Sequence, residues 1–428
     1  MKFQDFDKLF NAENAAAETP AYVFNVDELK SRIAMIRSNL PGDFRLVFAV
    51  KANPFLTGAL IPCVDAFEIC SPGEERICER AAVPPEKMVL SGVNKEAADF
   101  CRIMAYCGRK AVYTVESLSQ MQLLNETAGA VLRAQDGAEL SGAGMTGRKA
   151  EAGMAGAGPP GKASSDGTIE VLLRVTSGNQ FGLDEEDIET LVRDRAQYPN
   201  LTIRGLQLYS GTQKKKEKFF EDEIAKIDIL IGRLKENYDF TVREFEYGPG
   251  LFVPYFLKEG EADDAGVLRK LSAVLRGMSF QGTVTLEMGR FISAYCGYYV
   301  TRIADIKKNC GISYCILDGG IHQVNYFGQM MAMKMPYILH SCAKNGEESE
   351  NFNLCGSLCT VSDVIVKEVP LHSPHTGDIL VFERTGAYSV TEGISLFLSR
   401  DLPCVYLFEN EELKQIRKRI LTEEWNYG

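Results

Sequence analysis

The stretch FRLVFAVKANP, residues 44–54, decides the fold because an apolar run typical of a buried strand ends directly at a charged residue, Lys51. Runs of the same kind recur along the first two thirds of the chain and alternate with segments of helical periodicity. Strands that alternate with helices pair in parallel, and eight such repeats in about 250 residues predict a TIM-like (β/α)8 barrel. The predicted strands are residues 44–50, 64–70, 87–90, 110–115, 169–175, 203–209, 242–247 and 283–287.

The predicted helices of the barrel are residues 73–82, 95–107, 116–127, 185–195 and 215–237. The last and longest of them has apolar residues at helical spacing, which predicts the stripe that it buries against the barrel. That stripe consists of Phe219, Ile224, Ile227, Leu230 and Leu234.

Residues 128–167 interrupt the alternation of strands and helices. This segment holds ten of the 38 glycines of the chain, together with many alanines. Small residues offer too little apolar surface to offset the entropy that a segment loses when it becomes ordered. We therefore interpret the segment as a flexible insertion in the barrel, with a lid over the substrate as the alternative.

Beyond Arg290 the pattern changes to strand-like runs without regular helices between them. Single cores stop growing near about 250 to 300 residues, so a chain of 428 residues is expected to have a second domain. We place the barrel in residues 21–290 and a β-rich domain, a barrel or a sandwich, in residues 1–20 plus 291–428. Its predicted elements are strands at 297–306, 313–317, 361–369, 378–383 and 404–408, and a short charged helix at 409–419.

The charge of the chain limits its partners. Asp and Glu outnumber Lys and Arg by 58 to 47, so the net charge is −11 and attraction to nucleic acid or to an anionic membrane is disfavoured. The N-terminal residues lack the apolar core of a secretory signal, and no run approaches the ~20 apolar residues of a membrane span. We therefore expect a cytoplasmic protein whose partner is a small molecule or another protein.

Cysteine and histidine are not spaced like the ligands of a structural metal site. The twelve cysteines are scattered, no CxxC pair occurs, and the four histidines all lie at or beyond His322. We expect free thiols, as is usual in the cytosol, and no bound metal.

Charged and aromatic residues follow several predicted barrel strands at their carboxyl ends, which form the catalytic face of such barrels. Lys51 follows the first strand, where burial is expected to lower its pKa and make the neutral amine a nucleophile toward an aldehyde. Tyr209 and Thr212 follow the sixth strand, and the YGPG turn at 247–250 can present backbone N–H groups to a phosphate. Glu287 ends the eighth strand, where it could keep a pyridine nitrogen protonated. Each residue taken alone is also consistent with a rim charge, an ordinary turn or a salt-bridged carboxylate.

Eight short motifs taken together are more specific than any one of them. In chain order they are VKANP at 50–54, SPGEE at 71–75, YSGTQ at 209–213, YGPG at 247–250, EMGR at 287–290, LDGG at 317–320, CGSLC at 355–359 with Asp363, and GAY at 386–388. In this order, over about residues 20 to 408, the chain resembles the diaminopimelate, ornithine and arginine decarboxylases, which depend on pyridoxal 5'-phosphate (PLP) and share the fold of alanine racemase. The resemblance implies an enzyme that removes the α-carboxylate of an amino acid.

Position by position, the resemblance makes Lys51 the residue that forms a Schiff base with PLP, and Glu287 the partner of the pyridine nitrogen. It makes Cys359 the residue that reaches into the site of a partner subunit and protonates the carbon that has lost CO2, which implies a homodimer with shared active sites. The implied cofactor-binding residues are Lys51, Tyr209, Thr212, Gly248, Gly250, Glu287, Arg290 and Tyr388, and the implied substrate-binding residues are Arg290, Asp318, Thr360, Asp363 and Tyr388.

Several positions depart from the family's pattern. Tyr209 stands where the family has a histidine that stacks on the cofactor ring, and an aromatic side chain preserves the stacking. Thr360 stands where a diaminopimelate decarboxylase has the glutamate that meets the distal amino group, and Asn325 and Tyr326 replace an Arg-Pro pair. Both replacements remove charges that recognise the free, zwitterionic far end of the substrate. Similar replacements occur in relatives that act on an amino acid tethered to a carrier protein.

Lys214, Lys215, Lys216 and Lys218 form a basic cluster just after the YSGTQ turn. We interpret this cluster as the solvated start of a helix, with a docking surface for an acidic carrier protein as the alternative.

The sequence thus predicts a PLP-dependent carboxy-lyase that acts on a small amino acid, free or carrier-linked. A racemase of the same barrel is one alternative, but those enzymes face the pyridine nitrogen with an arginine, where this chain has Glu287. A non-catalytic homologue that regulates a decarboxylase is the other alternative, and the retention of Lys51, Glu287, Cys359 and Tyr388 argues against it.

Overall fold

A computed structural model of the chain describes residues 1–11, 15–140, 167–340 and 349–427. Within them, the strands are β1 (Ala21–Asn25), β2 (Arg45–Ala49), β3 (Ala66–Ile69), β4 (Met88–Leu90), β5 (Val112–Val115), β6 (Ile169–Val175), β7 (Leu201–Tyr209), β8 (Glu244–Gly248), β9 (Thr283–Met288), β10 (Gly297–Asn309), β11 (Ile312–Leu317), β12 (Ile338–Leu339), β13 (Ser349–Cys355), β14 (Val364–His372), β15 (Ile379–Glu383), β16 (Cys404–Glu409) and β17 (Glu412–Arg417). The α-helices are α1 (Phe3–Asn11), α2 (Val26–Ser38), α3 (Thr57–Leu60), α4 (Pro72–Arg80), α5 (Ala97–Cys107), α6 (Leu118–Leu140), α7 (Glu185–Arg193), α8 (Lys218–Tyr238), α9 (Asp264–Arg276), α10 (Arg290–Ser293) and α11 (Glu423–Asn426).

The barrel is closed and parallel. Strands β2 to β9 pair in chain order, and β9 closes the ring by pairing in parallel with β2. Side chains alternate between the two faces of each strand: Leu46 and Phe48 join the core under the helices, whereas Val47 packs with Ala66 and Val89 in a separate cluster. The predicted (β/α)8 barrel is confirmed, and its catalytic face lies where the strands end.

The second domain is built on one mixed sheet. Its strand order is β14-β13-β11-β10-β1-β16-β17, with β15 paired to β10 and β12. Helix α1 buries Phe6 and Phe10 against this sheet together with Tyr298 and Tyr406. The predicted β-rich second domain is therefore present, and β10 continues the chain directly from the barrel's last strand through α10.

Strand β1 lies in the sheet and not in the barrel, although its residues fall at the start of the range 21–290. It pairs antiparallel with β10 and parallel with β16, and all five of its residues are buried. Apolar runs on a barrel strand and on a central sheet strand look alike in sequence, so only pairing partners distinguish them. The other limits of the two domains stay a prediction.

The predicted charged helix at 409–419 is wrong. Residues 412–417 form β17, which pairs antiparallel with β16 across a two-residue turn. Both turn residues, Asn410 and Glu411, have left-handed φ values, 51° and 63°, which is the geometry of the tight turns that join antiparallel strands. Strand β17 lies at the edge of the sheet and exposes Glu412 and Lys414, and charge protects such an edge from pairing with other chains.

Two helices differ in detail from their predictions. In α8 it is Phe220 that is buried with Ile224 and Ile227, whereas Phe219 is half exposed. Helix α6 runs to Leu140, so the first part of the predicted insertion at 128–167 is helical, and Ala128 is fully buried. Residues 141–166, which carry most of that predicted insertion, lie outside the described residues. Of the helices within the described ranges, none is long and apolar enough to cross a membrane.

Candidate active site

Lys51 lies at the carboxyl end of β2, in a short 3-10 turn over Val50–Ala52. Its Nζ atom is 3.0 Å from Glu68 Oε2, 3.7 Å from Glu287 Oε1 and 3.4 Å from Cys70 Sγ. Burial alone would lower the pKa of Lys51, but the two carboxylates and nearby groups outweigh it and raise this pKa well above its ordinary value. The expectation of a lowered pKa is therefore wrong, because the two carboxylates favour the ammonium form of Lys51.

Glu68 and Glu287 share the ammonium group of Lys51. Both carboxyl groups are buried, on β3 and β9, the two strands that flank β2. Burial raises the pKa of Glu287, and the neighbouring charge of Glu68 raises it further. Although burial opposes it, the contact with Lys51 lowers the pKa of Glu68 to about 2. Glu68 is thus the anion of the pair, and Glu287 can hold or release a proton.

A pocket opens above these three residues at the mouth of the barrel. Its lining includes seven of the eight cofactor-binding residues that the sequence predicts: Lys51, Tyr209, Thr212, Gly250, Glu287, Arg290 and Tyr388. The eighth, Gly248, lies beneath the ring of Tyr209, because a Cβ atom at Gly248 would be 2.6 Å from that ring. Lys51 Nζ lies 5.6 Å from the centre of the Tyr209 ring, so this ring forms one wall beside the amine.

The glycine turn after β8 builds one end of the pocket. Gly250 has φ +59°, and a Cβ atom there would be 1.9 Å from the carbonyl oxygen of Gly211. Arg290 is buried beside this turn, where its Nε donates to Thr212 Oγ1 at 3.3 Å and its Nη1 donates to Tyr255 Oη at 2.8 Å. A guanidinium group beside closely packed turns is suited to bind a phosphate.

Tyr388 brings the sheet domain to the mouth of the barrel. Its backbone N–H donates to the carbonyl of Ala52 at 2.7 Å, and Asn53 Nδ2 donates to the carbonyl of Gly386 at 2.9 Å. The ring of Tyr388 lies 4.5 Å from the guanidinium carbon of Arg290. Tyr388 also has φ +66°, an unfavourable conformation for a bulky residue that surrounding contacts must maintain. These contacts join VKANP and GAY, which are 332 or more residues apart, in one site.

The basic cluster after the YSGTQ turn is only partly available to a partner. Lys214 Nζ contacts both oxygens of Glu223 at 2.8 Å, and Tyr247 Oη donates to the same carboxylate at 2.6 Å. Lys215 pairs with Glu259 at 3.2 Å. The structure therefore favours a structural role for Lys214, which holds the turns after β7 and β8 together.

Cys359 does not line the pocket of its own chain. It is exposed at the tip of the CGSLC loop, where Asp363 accepts hydrogen bonds from the backbone N–H groups of Leu358 and Ile321 at 2.7 and 2.9 Å. Burial raises the pKa of Asp363, and these donors oppose the rise. The structure thus places Asp363 under the loop that presents Cys359, and not on the pocket wall.

Two more predicted substrate-binding residues also lie away from the pocket lining. Asp318 accepts hydrogen bonds from Thr19 Oγ1 at 2.7 Å and Thr301 Oγ1 at 2.6 Å within the sheet domain. The hydroxyl of Thr360 lies 2.9 Å from that of Ser362 in the CGSLC loop. Neither side chain meets the pocket within one chain. Their assignment as substrate ligands stays a prediction that depends on a second subunit.

Sequence reasoning missed several residues that shape the site. Cys70 contacts the reactive lysine directly, and it was detectable as the residue between β3 and SPGEE. Tyr255 supports Arg290, and Asn53 ties the lysine turn to the GAY loop. Their partners lie far away in sequence, so no local pattern pointed to them.

The residues of the pocket fit PLP. Glu287 Oε2 is buried and has no hydrogen-bond partner among the described residues, so it can accept from a protonated ring nitrogen. The amine of Lys51 would form a covalent bond to the aldehyde carbon of PLP. Tyr209 would face the ring, and Arg290 with the Gly250 turn would hold the phosphate.

Replacing Gly250 by alanine tests this phosphate cradle. The added Cβ would clash with Gly211 and force a strained φ, so we expect the dissociation constant for PLP to rise at least about tenfold, which corresponds to about 1.4 kcal/mol. Gly232→Ala is the matched control, because Gly232 lies in helix α8 and a Cβ atom there would have no heavy atom within 4 Å apart from the backbone of its own helix. Absorbance titration of both variants with PLP measures the effect. Equal affinity in the two variants would remove the Gly250 turn from the cofactor site.

Comparisons with known proteins agree with this geometry. The model of a family described as pyridoxal-dependent decarboxylase, C-terminal sheet domain, matches residues 22–386. A Staphylococcus aureus 2-((L-alanin-3-ylcarbamoyl)methyl)-2-hydroxybutanedioate decarboxylase is 26% identical over 404 residues, 91% of this chain and 94% of that protein. A Niallia circulans decarboxylase of an L-glutamyl acyl-carrier protein is 24% identical, over 94% of this chain and 91% of that protein.

A solved structure shows the same fold. Diaminopimelate decarboxylase from Helicobacter pylori, complexed with L-lysine, superimposes with a TM-score of 0.77 at 20% identity and covers 98% of each chain. The family match spans the whole barrel, the sheet strands up to β15 and every pocket residue except Tyr388. It confirms the predicted cofactor, PLP, and the predicted class of reaction. The chain belongs to the family of pyridoxal-dependent decarboxylases.

Proposed function

We propose that this decarboxylase removes the α-carboxylate of an amino acid whose far end is acylated or attached to a carrier protein. The observation that carries the decarboxylase mechanism is the contact of Lys51 with both Glu68 and Glu287 on the floor of the pocket. The observations that bear on the substrate are the uncharged residues at the positions that meet the far end in relatives.

The residues of this chain have distinct roles in the proposed reaction. PLP supplies an aldehyde that condenses with amines and a pyridine ring that accepts the electron pair left when CO2 departs. Lys51 would hold the cofactor and would carry a proton once the substrate amine has replaced it. Glu287 would hold a proton at the ring nitrogen and so strengthen the ring as an electron acceptor. Arg290 and the Gly250 turn would hold the phosphate and so fix the position of the reacting atoms.

Cys359 is proposed to return the proton from a second subunit. Its side chain is exposed, as is that of Val361 two residues later in the same loop. Val361 is 99% exposed, and Met331, in the segment between β11 and β12, is 82% exposed. Phe327 in the same segment is half exposed, and its ring lies 4.8 Å from the guanidinium carbon of Arg290, at the edge of the pocket. Large apolar side chains beside an active site favour burial by a partner, and here we propose a second copy of this chain.

The far end of the substrate is proposed to be uncharged or remote. Tyr326, at one of the changed positions, is buried and donates its hydroxyl to the carbonyl of Glu383 at 2.6 Å, so it offers no charge to a ligand. Thr360 at the other changed position is also neutral. The names of the two relatives describe an L-alanin-3-ylcarbamoyl compound and an L-glutamyl group on a carrier protein, and both fit this class.

Measurement of CO2 release tests the proposed substrate class. The panel contains free diaminopimelate, lysine and ornithine, 2,3-diaminopropionate acylated on its side-chain amine, and glutamate attached to a carrier protein. We expect kcat/KM to be at least about tenfold higher for an acylated or carrier-attached amino acid than for any free one, since the latter would leave a charge unpaired. A preference for a free diamino acid would contradict the proposal.

Mixing two inactive variants tests the shared site. Lys51→Ala and Cys359→Ala homodimers should each be nearly inactive. After subunit exchange, random pairing makes about half of the dimers mixed, and each mixed dimer has one intact site of two, so about a quarter of the wild-type activity is the ceiling. CO2 release near that value would support the shared site. If tags show that exchange has occurred and no activity returns, Cys359 does not act across the interface.

A further inference from the structure

The interior of the barrel below the pocket is polar on one side. Phe245 and Tyr247 of β8 pack in the main hydrophobic core, so the residues that alternate with them, Glu244 and Glu246, point toward the barrel axis. Both are buried, and Glu246 is 0% exposed. Barrel interiors are usually filled by branched apolar side chains, so two buried carboxyl groups on one strand require an explanation.

The two carboxyl groups have different surroundings. Glu244 has cationic partners, with Arg204 Nε at 2.6 Å and Arg45 Nη1 at 3.3 Å, and it accepts from Thr285 Oγ1 at 2.5 Å. Glu246 forms no ion pair with any described residue and accepts one hydrogen bond, from Gln207 Nε2 at 2.6 Å. Glu244 is therefore suited to be an anion, whereas an anion at Glu246 would lack a counter-charge.

Glu246 also belongs to a group of buried carboxyls that has too few cations. Glu68 and Glu287 contact Lys51. The charge of Glu68 raises the pKa of Glu246, and the charges of Glu68 and Glu246 raise the pKa of Glu287. One lysine cannot balance three carboxylates. Glu246 Oε2, Glu287 Oε2 and Gln207 Oε1 are all buried without a hydrogen-bond partner among the described residues, which leaves room for a shared proton or a bridging water.

We propose that Glu246 is a buried carboxylic acid that holds a proton below the pocket and acts as a positioning residue for Glu287. A neutral Glu246 adds no further negative charge to those that raise the pKa of Glu287, so Glu287 can ionise against the pyridine nitrogen. The O–H of Glu246 can donate, directly or through a water, to the unpartnered Oε2 of Glu287. An ionised Glu246 would instead drive a proton onto Glu287. The part of this proposal that concerns Glu287 rests on the function proposed above, whereas the proton on Glu246 does not.

The charged groups around Glu246 support this assignment. Burial raises the pKa of Glu246 to about 8, with further increases from Glu68 on β3 and from Glu244 on its own strand. Gln207 on β7 and Arg45 on β2 oppose the increase, and Glu287 lies on the neighbouring strand β9. Between the ordinary carboxyl pKa and about 8, the folded protein keeps a proton that the unfolded chain releases. Its stability therefore falls as the pH rises through this window.

Thermal unfolding of the PLP-loaded enzyme between pH 5 and pH 8 tests the proton on Glu246. The amide of Glu246→Gln mimics a neutral acid and removes the proton linkage. We expect its unfolding temperature to equal that of the wild type near pH 5 and to exceed it increasingly toward pH 8. Glu244→Gln is the matched control and should lie below the wild type throughout, because it removes the buried carboxylate that pairs with the half-buried Arg45 and Arg204. A constant deficit in Glu246→Gln, like that of the control, would overturn the proposal.

The positioning role is tested with a second pair of variants. Glu246→Leu is neutral and of similar size but has no polar group that can donate toward Glu287, and we expect CO2 release to fall about tenfold or more while bound PLP stays near the wild-type level. Glu246→Gln should restore most of this loss. Equal turnover in the two variants would overturn the positioning role. Loss of PLP absorbance in the Leu variant alone would also overturn it, since it would show a purely structural role.

Discussion

Lys51→Ala is expected to abolish both the covalent attachment of PLP and the release of CO2. Among the described residues, Lys51 is the lysine that lines the pocket, and its Nζ contacts Glu68 and Glu287. Alanine removes the amine that exchanges with the substrate amine. We therefore expect turnover to fall by more than about 10³-fold, a loss as large as or larger than the loss of a proton-transfer group usually causes.

Borohydride reduction of the PLP-loaded enzyme, followed by peptide mapping, measures the attachment. The wild type and an exposed-lysine control, Lys216→Ala, should both carry the label on Lys51. A label on any other lysine of the wild type would show that Lys51 is not the attachment site, whatever the activity of the variant.

Glu287→Gln is expected to keep PLP but to lose most of its turnover. The carboxyl of Glu287 is buried with one oxygen free, and a neutral amide cannot hold the proton of the pyridine nitrogen as an anion does. Because this charge stabilises the ring after CO2 leaves, we expect CO2 release to fall by about 10²- to 10³-fold. Near-normal turnover, with PLP content measured by absorbance, would remove Glu287 from the mechanism.

The same variant should change the ionisation of Lys51. Glu287 is one of the two carboxylates that raise the pKa of Lys51, so its replacement by a neutral amide should lower that pKa. PLP reacts with the neutral amine, and therefore the uptake of PLP by the cofactor-free variant should reach its maximal rate at a lower pH than in the wild type. A profile identical to that of the wild type would show that Glu68 alone sets the ionisation of Lys51.

The barrel was predictable because its signals are local. Each of its strands is an apolar run that ends at a turn, and β6 has the predicted bounds, Ile169–Val175. The motifs that carry chemistry stand at the carboxyl ends of these strands, where parallel strands bring their residues to one face. For this reason the sequence predicts Lys51, Tyr209 and Glu287 on one face of the barrel, and all three line the same pocket.

The sheet domain was less predictable because its pairing is not local. Strand β1 pairs with β10 and β16, which follow it by more than 250 residues, and β13 was missed because its sequence, SENFNLC, is mostly polar. Residues 412–417 have a charged composition that also suits a helix, and the pairing with β16 makes them a strand. Strand assignment there depends on neighbours that a local pattern does not contain.

The sequence by itself determined the order of strands and helices, the motifs at the strand ends and, through their order, the PLP-dependent class of this protein. The tertiary structure alone decided the charges in the site, because pKa values depend on burial and on neighbours that are distant in sequence. It gave Lys51 two carboxylate partners from β3 and β9, which raise its pKa although burial would lower it. It also left Glu246 without a cation while Glu244, two residues earlier, has arginines, since only the closed barrel brings the other strands against β8.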